Sequence, residues 1–346
     1  MWMNEMGKTG TRLRVTSFDV ARRAGVSRAS VSRAFSPGAN ISPELRERVL
    51  AAAAELGYRP NRIARGLNRQ RSDLVGIVVA RLENPFRAAQ VKVLTRALLA
   101  EGLRPILFEA EPEEPVEEKI ELLLDYNVSG VIITSSMPPE ELCTECIERG
   151  VPLVAVDRGE NLPGVDHLDS DCLEGGRLAC EVLLEGGAER LVAARPTGPS
   201  WSMHRRVEAF AAAARARGIP VEERPIGSYD YEGGRAFAKA LADLAGSARR
   251  AGVFLPNDIS ALGCLDGLRH DLRLGALAGL GLVGHDDIPQ AGWASYRLTT
   301  IRQELEQFAN AAVELFASRI AAPDQPTRRV LVPVSLVRRD THRGRE

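Results

Sequence analysis

The chain has 346 residues, 45% of them apolar and 26% charged, and a formal net charge of −1, which are ordinary values for a globular protein with two or more domains. No apolar run is long enough to span a bilayer, and five cysteines are too few, and odd in number, for a disulfide framework; a membrane protein and a small secreted scaffold are therefore excluded, and a reducing, cytoplasmic setting is expected. The near-zero charge hides an asymmetry, because residues 1–71 carry fourteen Lys and Arg against five Asp and Glu and leave an acidic remainder, so a polyanion would be attracted to one end only.

In chain order, residues 1–14 lack an apolar core after their basic residues and read as a short disordered tail rather than a secretory signal. Residues 15–60 read as three short helices. Asp19 to Ala24 has Thr16 as its N-cap, Val20, Ala21 and Ala24 on one face and Gly25 as its stop. After the turn "GVS", Ser27 caps a second helix from Arg28 to Phe35. Val31 and Ala34 or Phe35 face inward there, and Arg28, Ala29, Ser32 and Arg33 face outward. In the third, Ser42 caps, Pro43 takes the first helical position, Leu45, Val49, Ala52 or Ala53, and Leu56 line one face, and Gly57 ends it. Two short helices about a Gly-containing turn make a helix-turn-helix. The third helix gives it a core, so the second can enter a major groove, where arginine reaches guanine and short serines such as Ser27, Ser30 and Ser32 approach phosphates. Residues 61–72 follow as a hinge. Asn61 to Asn68 is basic and too short to be stable alone. It reads either as a plain linker or as a helix that folds on DNA, with Ala64 and Leu67 on its apolar face and Leu67 as a minor-groove wedge.

From residue 73 to 341, β-branched runs alternate with amphipathic helices: 74–80, 104–110, 130–135 and 152–157, then again 190–196, 221–227, 251–256 and 280–287. This order predicts an α/β body of two doubly wound lobes with a ligand cleft where strand ends face each other. Asp157, Arg206, Asn257 and Asp286 fall at strand or helix ends, where carboxylates, an amide and a guanidinium can hold a polyhydroxylated molecule. Phe86 and Tyr229 offer aromatic faces. Asp258 reads as a helix cap. The single CxxC, Cys143 and Cys146, lies in a helical pattern without further ligands and reads as helix-face thiols, not a metal site. His204 and His285 lie near element ends but have no nucleophile motif, so no catalysis, cofactor or metal is expected. Residues 342–346 read as a tail.

The runs "VTSFDVARRAGVSRASVSRAF" and "ISPELRERVLAAAAELGYRPNRIARGL" closely resemble the head and hinge of the lactose/galactose-repressor family. The similarity continues through "VGIVVARLENPF", "GLVGHDDI", "LTTIRQ" and "LVPVSLVRRDT". The resemblance implies a homodimeric transcriptional regulator with a body like a periplasmic sugar-binding protein. It adds Thr16, Asn40, Tyr58 and Asn61 to the candidate DNA contacts and places Asp157, Arg206, Asn257 and Asp286 at effector-contact positions. Ser17 departs from the apolar residue usual there, and His285 from the usual aromatic beside the last acid. The chain ends without leucine heptads, so a dimer on a pseudo-palindromic operator is expected rather than a tetramer. Two alternatives stand beside a sugar-responsive repressor. One is a regulator sensing a purine or a sugar phosphate, against which the two acids argue; the other is a sugar-binding protein with vestigial DNA binding.

Overall fold

A computed structural model describes residues 15–36, 38–59, 72–110, 115–134, 140–159, 162–198, 200–244, 250–274 and 279–343. The chain divides between residues 70 and 71 into two compact units.

The first unit contains α1 (Ser17–Ala24), α2 (Arg28–Ala34) and α3 (Pro43–Glu55). Each begins as its sequence directs. Thr16 N donates to Asp19 Oδ2 at 3.0 Å, and the oxygens of Ser27 and Ser42 accept from Ser30 N and Leu45 N. Gly25 stops α1 at φ 63°, a left-handed conformation that glycine adopts without strain. Val20, Ala21, Ala24, Val31, Ala34, Val49, Ala52 and Ala53 make the core, with Phe35 and Leu56 at its edge.

In the second unit the first lobe has a parallel sheet in the order β11-β5-β4-β3-β1-β2. It is built from β1 (Leu74–Val79), β2 (Arg104–Glu109), β3 (Val131–Ile133), β4 (Leu153–Val156), β5 (Val165–Ser170) and β11 (Arg329–Val332). The second lobe has the order β12-β10-β9-β8-β6-β7, from β6 (Arg190–Pro196), β7 (Val221–Ile226), β8 (Ala251–Phe254), β9 (Leu280–Asp286), β10 (Thr299–Gln303) and β12 (Val334–Val337). Only the β10–β12 pair there is antiparallel. Helices α4 (Pro85–Ala100), α5 (Val116–Asp125) and α6 (Glu140–Glu148) belong to the first lobe. Helices α7 (Cys172–Glu185), α8 (Trp201–Arg215), α9 (Tyr231–Phe237) and α10 (Asp258–Asp266) belong to the second. Helices α7 and α8 approach closely because a Cβ on Gly176 would sit 2.4 Å from Phe210 N.

The eight strands expected from the sequence are present, but the lobes do not follow one another along the chain. After β10 the chain returns to the first lobe through α11 (Leu305–Ala321) and β11, then crosses back for β12. Three crossings therefore join the lobes, near Asp171, Glu304 and Pro333. Strand order reverses beside β1 and β3 in one lobe and beside β6 and β8 in the other. These are the switch points at whose carboxyl ends open α/β sheets bind ligands. The body also extends past its expected end, since His342 is buried with Nδ1 3.0 Å from Thr299 Oγ1.

Candidate functional site

In the head, α2 presents Arg28, Ala29, Ser32 and Arg33 to solvent, as do the neighbouring Thr16, Ser27 and Asn40. The Arg28 guanidinium lies 4.0 Å from the centre of the Phe18 ring, and Arg33 Nε donates to Ala29 O at 3.4 Å. Neither forms an ion pair with a carboxylate among the described residues. Two candidate contacts are partly committed to the fold. Ser30 Oγ is paired with Ser27 Oγ, and Tyr58 packs edge-on against Phe35 with centroids 5.9 Å apart. Phe18, 57% exposed beside Arg28, was not singled out in the sequence; its signal would have been an aromatic on the polar face of α1. The hinge candidates Asn61, Ala64 and Leu67 lie outside the described residues.

In the body, the strand ends bring Asp157 and Asp286 to the interlobe space. Both are buried, and both have positive φ, 51° and 124°, where non-glycine residues are rare outside turns and functional sites. Arg206, projecting from α8, donates from Nη1 to Asp286 Oδ1 at 2.9 Å and to Pro256 O at 2.8 Å. Burial works against charge on both partners. Their mutual attraction outweighs it, so the Arg206 pKa is raised and that of Asp286 is lowered, with His285 and Gln303 also holding Asp286 ionised.

A hydrogen-bond chain then runs from lobe to lobe. Gln303 Nε2 donates to Asp286 Oδ1 at 2.7 Å, Ser170 Oγ donates to Gln303 Oε1 at 2.5 Å, and Ser170 N donates to Asp157 Oδ1 at 2.9 Å. Ser170 and Gln303 end β5 and β10, at two of the crossings. His285 lies behind Asp286, with Nδ1 3.4 Å from Oδ1, and burial holds its pKa down at about 4.

One expectation, Asp258 as a helix cap, is corrected. Phe86 is 4% exposed and packs with the core cluster of the second lobe. Asn257, not Asp258, caps α10; its Oδ1 accepts from Ser260 N at 3.2 Å and its Nδ2 donates to Tyr229 O at 2.6 Å. Asp258 is wholly buried against Thr300 Oγ1 and Ile288 N, and burial pushes its pKa up to about 8.

Tyr229 remains half-buried, with its ring 4.9 Å from the Arg81 guanidinium carbon. Arg81, Arg87, Arg158 and Trp201 were missed in the sequence, since they stand in or beside the segments after three different strands, β1, β4 and β6. A Cβ on Gly159 would meet Trp201 Nε1 at 2.0 Å, which puts the indole against the β4 loop.

Of the other chemistry-bearing residues, Cys143 and Cys146 are buried in the α6 core face, and burial raises their thiols to about 11 and about 12. His204 Nε2 lies 3.0 Å from Gly198 O. Among the described residues no helix is long and apolar enough to cross a membrane.

Comparisons with known proteins agree with this architecture. Residues 18–61 match the family "Bacterial regulatory proteins, lacI family", and residues 180–342 match "Periplasmic binding protein-like domain". The transcriptional regulator GalS of Salmonella typhimurium is 32% identical over 87% of this chain and 88% of its own. The lac repressor dimer bound to operator and the anti-inducer ONPF superposes with TM-score 0.83 at 26% identity, over 96% of this chain and 100% of that one. A LacI-family regulator of Enterococcus faecium with bound ribose gives 0.70 at 25% identity, over 79% of this chain and 100% of that one. With its helix-turn-helix head, two-lobed body and full-length similarity to GalS, the chain belongs to the lacI family of bacterial regulatory proteins.

Proposed function

We propose that the protein is a transcriptional repressor that binds operator DNA as a homodimer and responds to a sugar or sugar derivative held between the lobes of its body. The carrying observation is the pairing, on one chain, of two exposed guanidiniums on α2 that have no carboxylate partner among the described residues with a buried Arg206–Asp286 pair at the strand ends of a two-lobed body. The operator-bound lac repressor dimer and the ribose-bound regulator support both halves. In this reading residues 15–60 form the DNA reader, 61–72 the hinge and 73–341 the sensor, to which His342 is added.

Arg28, Ala29, Ser32 and Arg33 enter the major groove, with Thr16, Ser27, Ser30 and Asn40 near the phosphates. Asp157, Arg206, Asp286 and Tyr229 hold the effector. The Ser170–Gln303 link ties both carboxylates to the crossings, so a ligand that displaces either changes the strain on the segments about which the lobes move.

The test is to select an operator from a random duplex pool with the full-length protein and then titrate that operator by anisotropy with and without a panel of sugars. Sequence-selective binding that a sugar shifts about 5–150-fold is the expected result. Binding with no sequence preference, or an operator affinity that no sugar alters, would overturn the proposal.

A further inference from the structure

Arg87 stands in the first turn of α4. It meets an amide and an aromatic face: Nη1 donates to Gln90 Oε1 at 2.9 Å, and the guanidinium lies 5.8 Å from the centre of the Phe86 ring. The charges around it are Asp157, Asp286, Arg206 and Arg81. Arg81 in turn lies over the Tyr229 ring. Three guanidiniums, those of Arg87, Arg81 and Arg206, therefore gather where the strand ends supply two carboxylates, and these are already engaged, Asp286 by Arg206 and Gln303, Asp157 by Ser170 N. A third acid nearby, Asp169, is held by Arg329 at 3.3 Å, and burial followed by repulsion from Asp157 raises its pKa to about 6.

Loss of surrounding water lowers the Arg87 pKa. Asp157 and Asp286 offset part of this, and Arg206 and Arg81 add to it.

Hydrogen-bond inventory points the same way. Gln90 is fully buried, its amide stands beside the Arg87 guanidinium, and its Nε2 has no acceptor; Arg206 Nε is buried without one as well. A site with surplus buried donors and surplus positive charge is completed by a group that only accepts and carries one negative charge. A hydroxyl brings a further donor with each acceptor, whereas a carboxylate brings acceptors alone. A phosphate would bring close to two negative charges beside Asp157 and Asp286, which like-charge repulsion opposes.

We propose that the effector is a sugar acid whose single carboxylate seats against Arg87, flanked by Arg81, while its hydroxyls meet Asp157 and Asp286. This deepens the sugar-responsive reading above and rests on it.

The full-length protein is titrated by calorimetry, after a thermal-shift screen, with common pentoses and hexoses supplied as the neutral sugar, the aldonate, the uronate and the phosphate. At least one aldonate or uronate is expected to bind about tenfold or more tightly than its neutral parent. Arg87→Gln should lower that acid-to-neutral ratio about tenfold, and Arg87→Lys should restore part of it. The carboxylate assignment is overturned, with the sugar reading intact, if neutral sugars or sugar phosphates bind tighter than every acid. It is likewise overturned if the ratio survives in both Arg87→Gln and Arg81→Gln. A panel in which no sugar of any charge binds removes the sugar reading together with it.

Discussion

On α2 of the head, Arg28 and Arg33 are exposed and pair with no carboxylate among the described residues, whereas in the body Arg206 and Asp286 are 3% and 4% exposed and satisfy each other. Solvent makes the first arrangement nearly free of cost and keeps both charges available to a polyanion. The second arrangement must repay a large desolvation cost, so it persists only with a partner and further hydrogen bonds. Charge in the head is thus open to change without loss of fold, while in the body the proposed binding groups are also part of the structure.

The sharpest break of this contrast comes from splitting the buried pair. Asp286→Ala leaves Arg206 charged and buried, and should cost about 3–5 kcal/mol in urea unfolding. The double variant Arg206→Met/Asp286→Leu should recover much of that while remaining unresponsive to effector. A single change costing under about 1 kcal/mol would mean that water reaches the pair.

Arg28→Ala and Arg33→Ala should do the reverse. Each should leave stability within about 0.5 kcal/mol but weaken operator binding by about 1–3 kcal/mol where the arginine reads guanine. The salt slope of DNA binding separates this role from phosphate contact, because a lost phosphate contact lowers the slope by about one and weakens all sequences alike.

Buried titrating groups sharpen the contrast through pH. Asp258 has a folded pKa of about 8, raised above its usual value of 3.8, so the folded state holds the extra proton between those values and stability falls as pH rises through that window. His285, lowered from 6.5 to about 4, is neutral when folded and contributes stability that is lost as pH falls from 6.5 towards 4. The two oppose each other below pH 6.5, leaving a decline between about pH 6.5 and 8 with a slope of at most about 1.4 kcal/mol per unit for one proton. Asp258→Asn should flatten that decline in unfolding curves taken at several pH values. Persistence of the decline in this variant would assign it to another group.

The smallest effect belongs to Phe18. Its exposed ring faces the Arg28 guanidinium at 4.0 Å, so Phe18→Ala should weaken operator binding by only about 0.5–1 kcal/mol by freeing that side chain. A loss as large as that of Arg28→Ala would make Phe18 a DNA contact in its own right.

The difference between the units also explains how much of each was legible. The head's caps, turn glycine and apolar face lie within a few residues of one another, and these local signals gave its three helices, with Ser17 and Phe18 extending α1 at the start. The first strands of each lobe were legible because burial on both faces makes them continuous β-branched runs. Strand β5, "VDHLDS", carries no such run, yet every residue in it is buried. Its Asp166 and Asp169 are neutralised by Arg319 and Arg329, more than a hundred residues away. Nothing local marks a polar strand whose charges are met from so far along the chain.

The sequence by itself determined the local elements and the basic head and acidic body, and resemblance to a known family raised the expectation of Asp157, Arg206, Asn257 and Asp286 as effector contacts. Tertiary structure decided which residues meet. Arg81 and Arg87 follow β1, Arg158 follows β4, and Ser170 and Gln303 end β5 and β10, and the return of the chain through α11 and β11 joins the lobes that carry them. Helical and strand periodicities are set by the backbone within a few residues. The convergence of Arg81, Arg87 and Arg206 on two carboxylates depends instead on strand order and on the crossings between lobes, which no short stretch of sequence encodes.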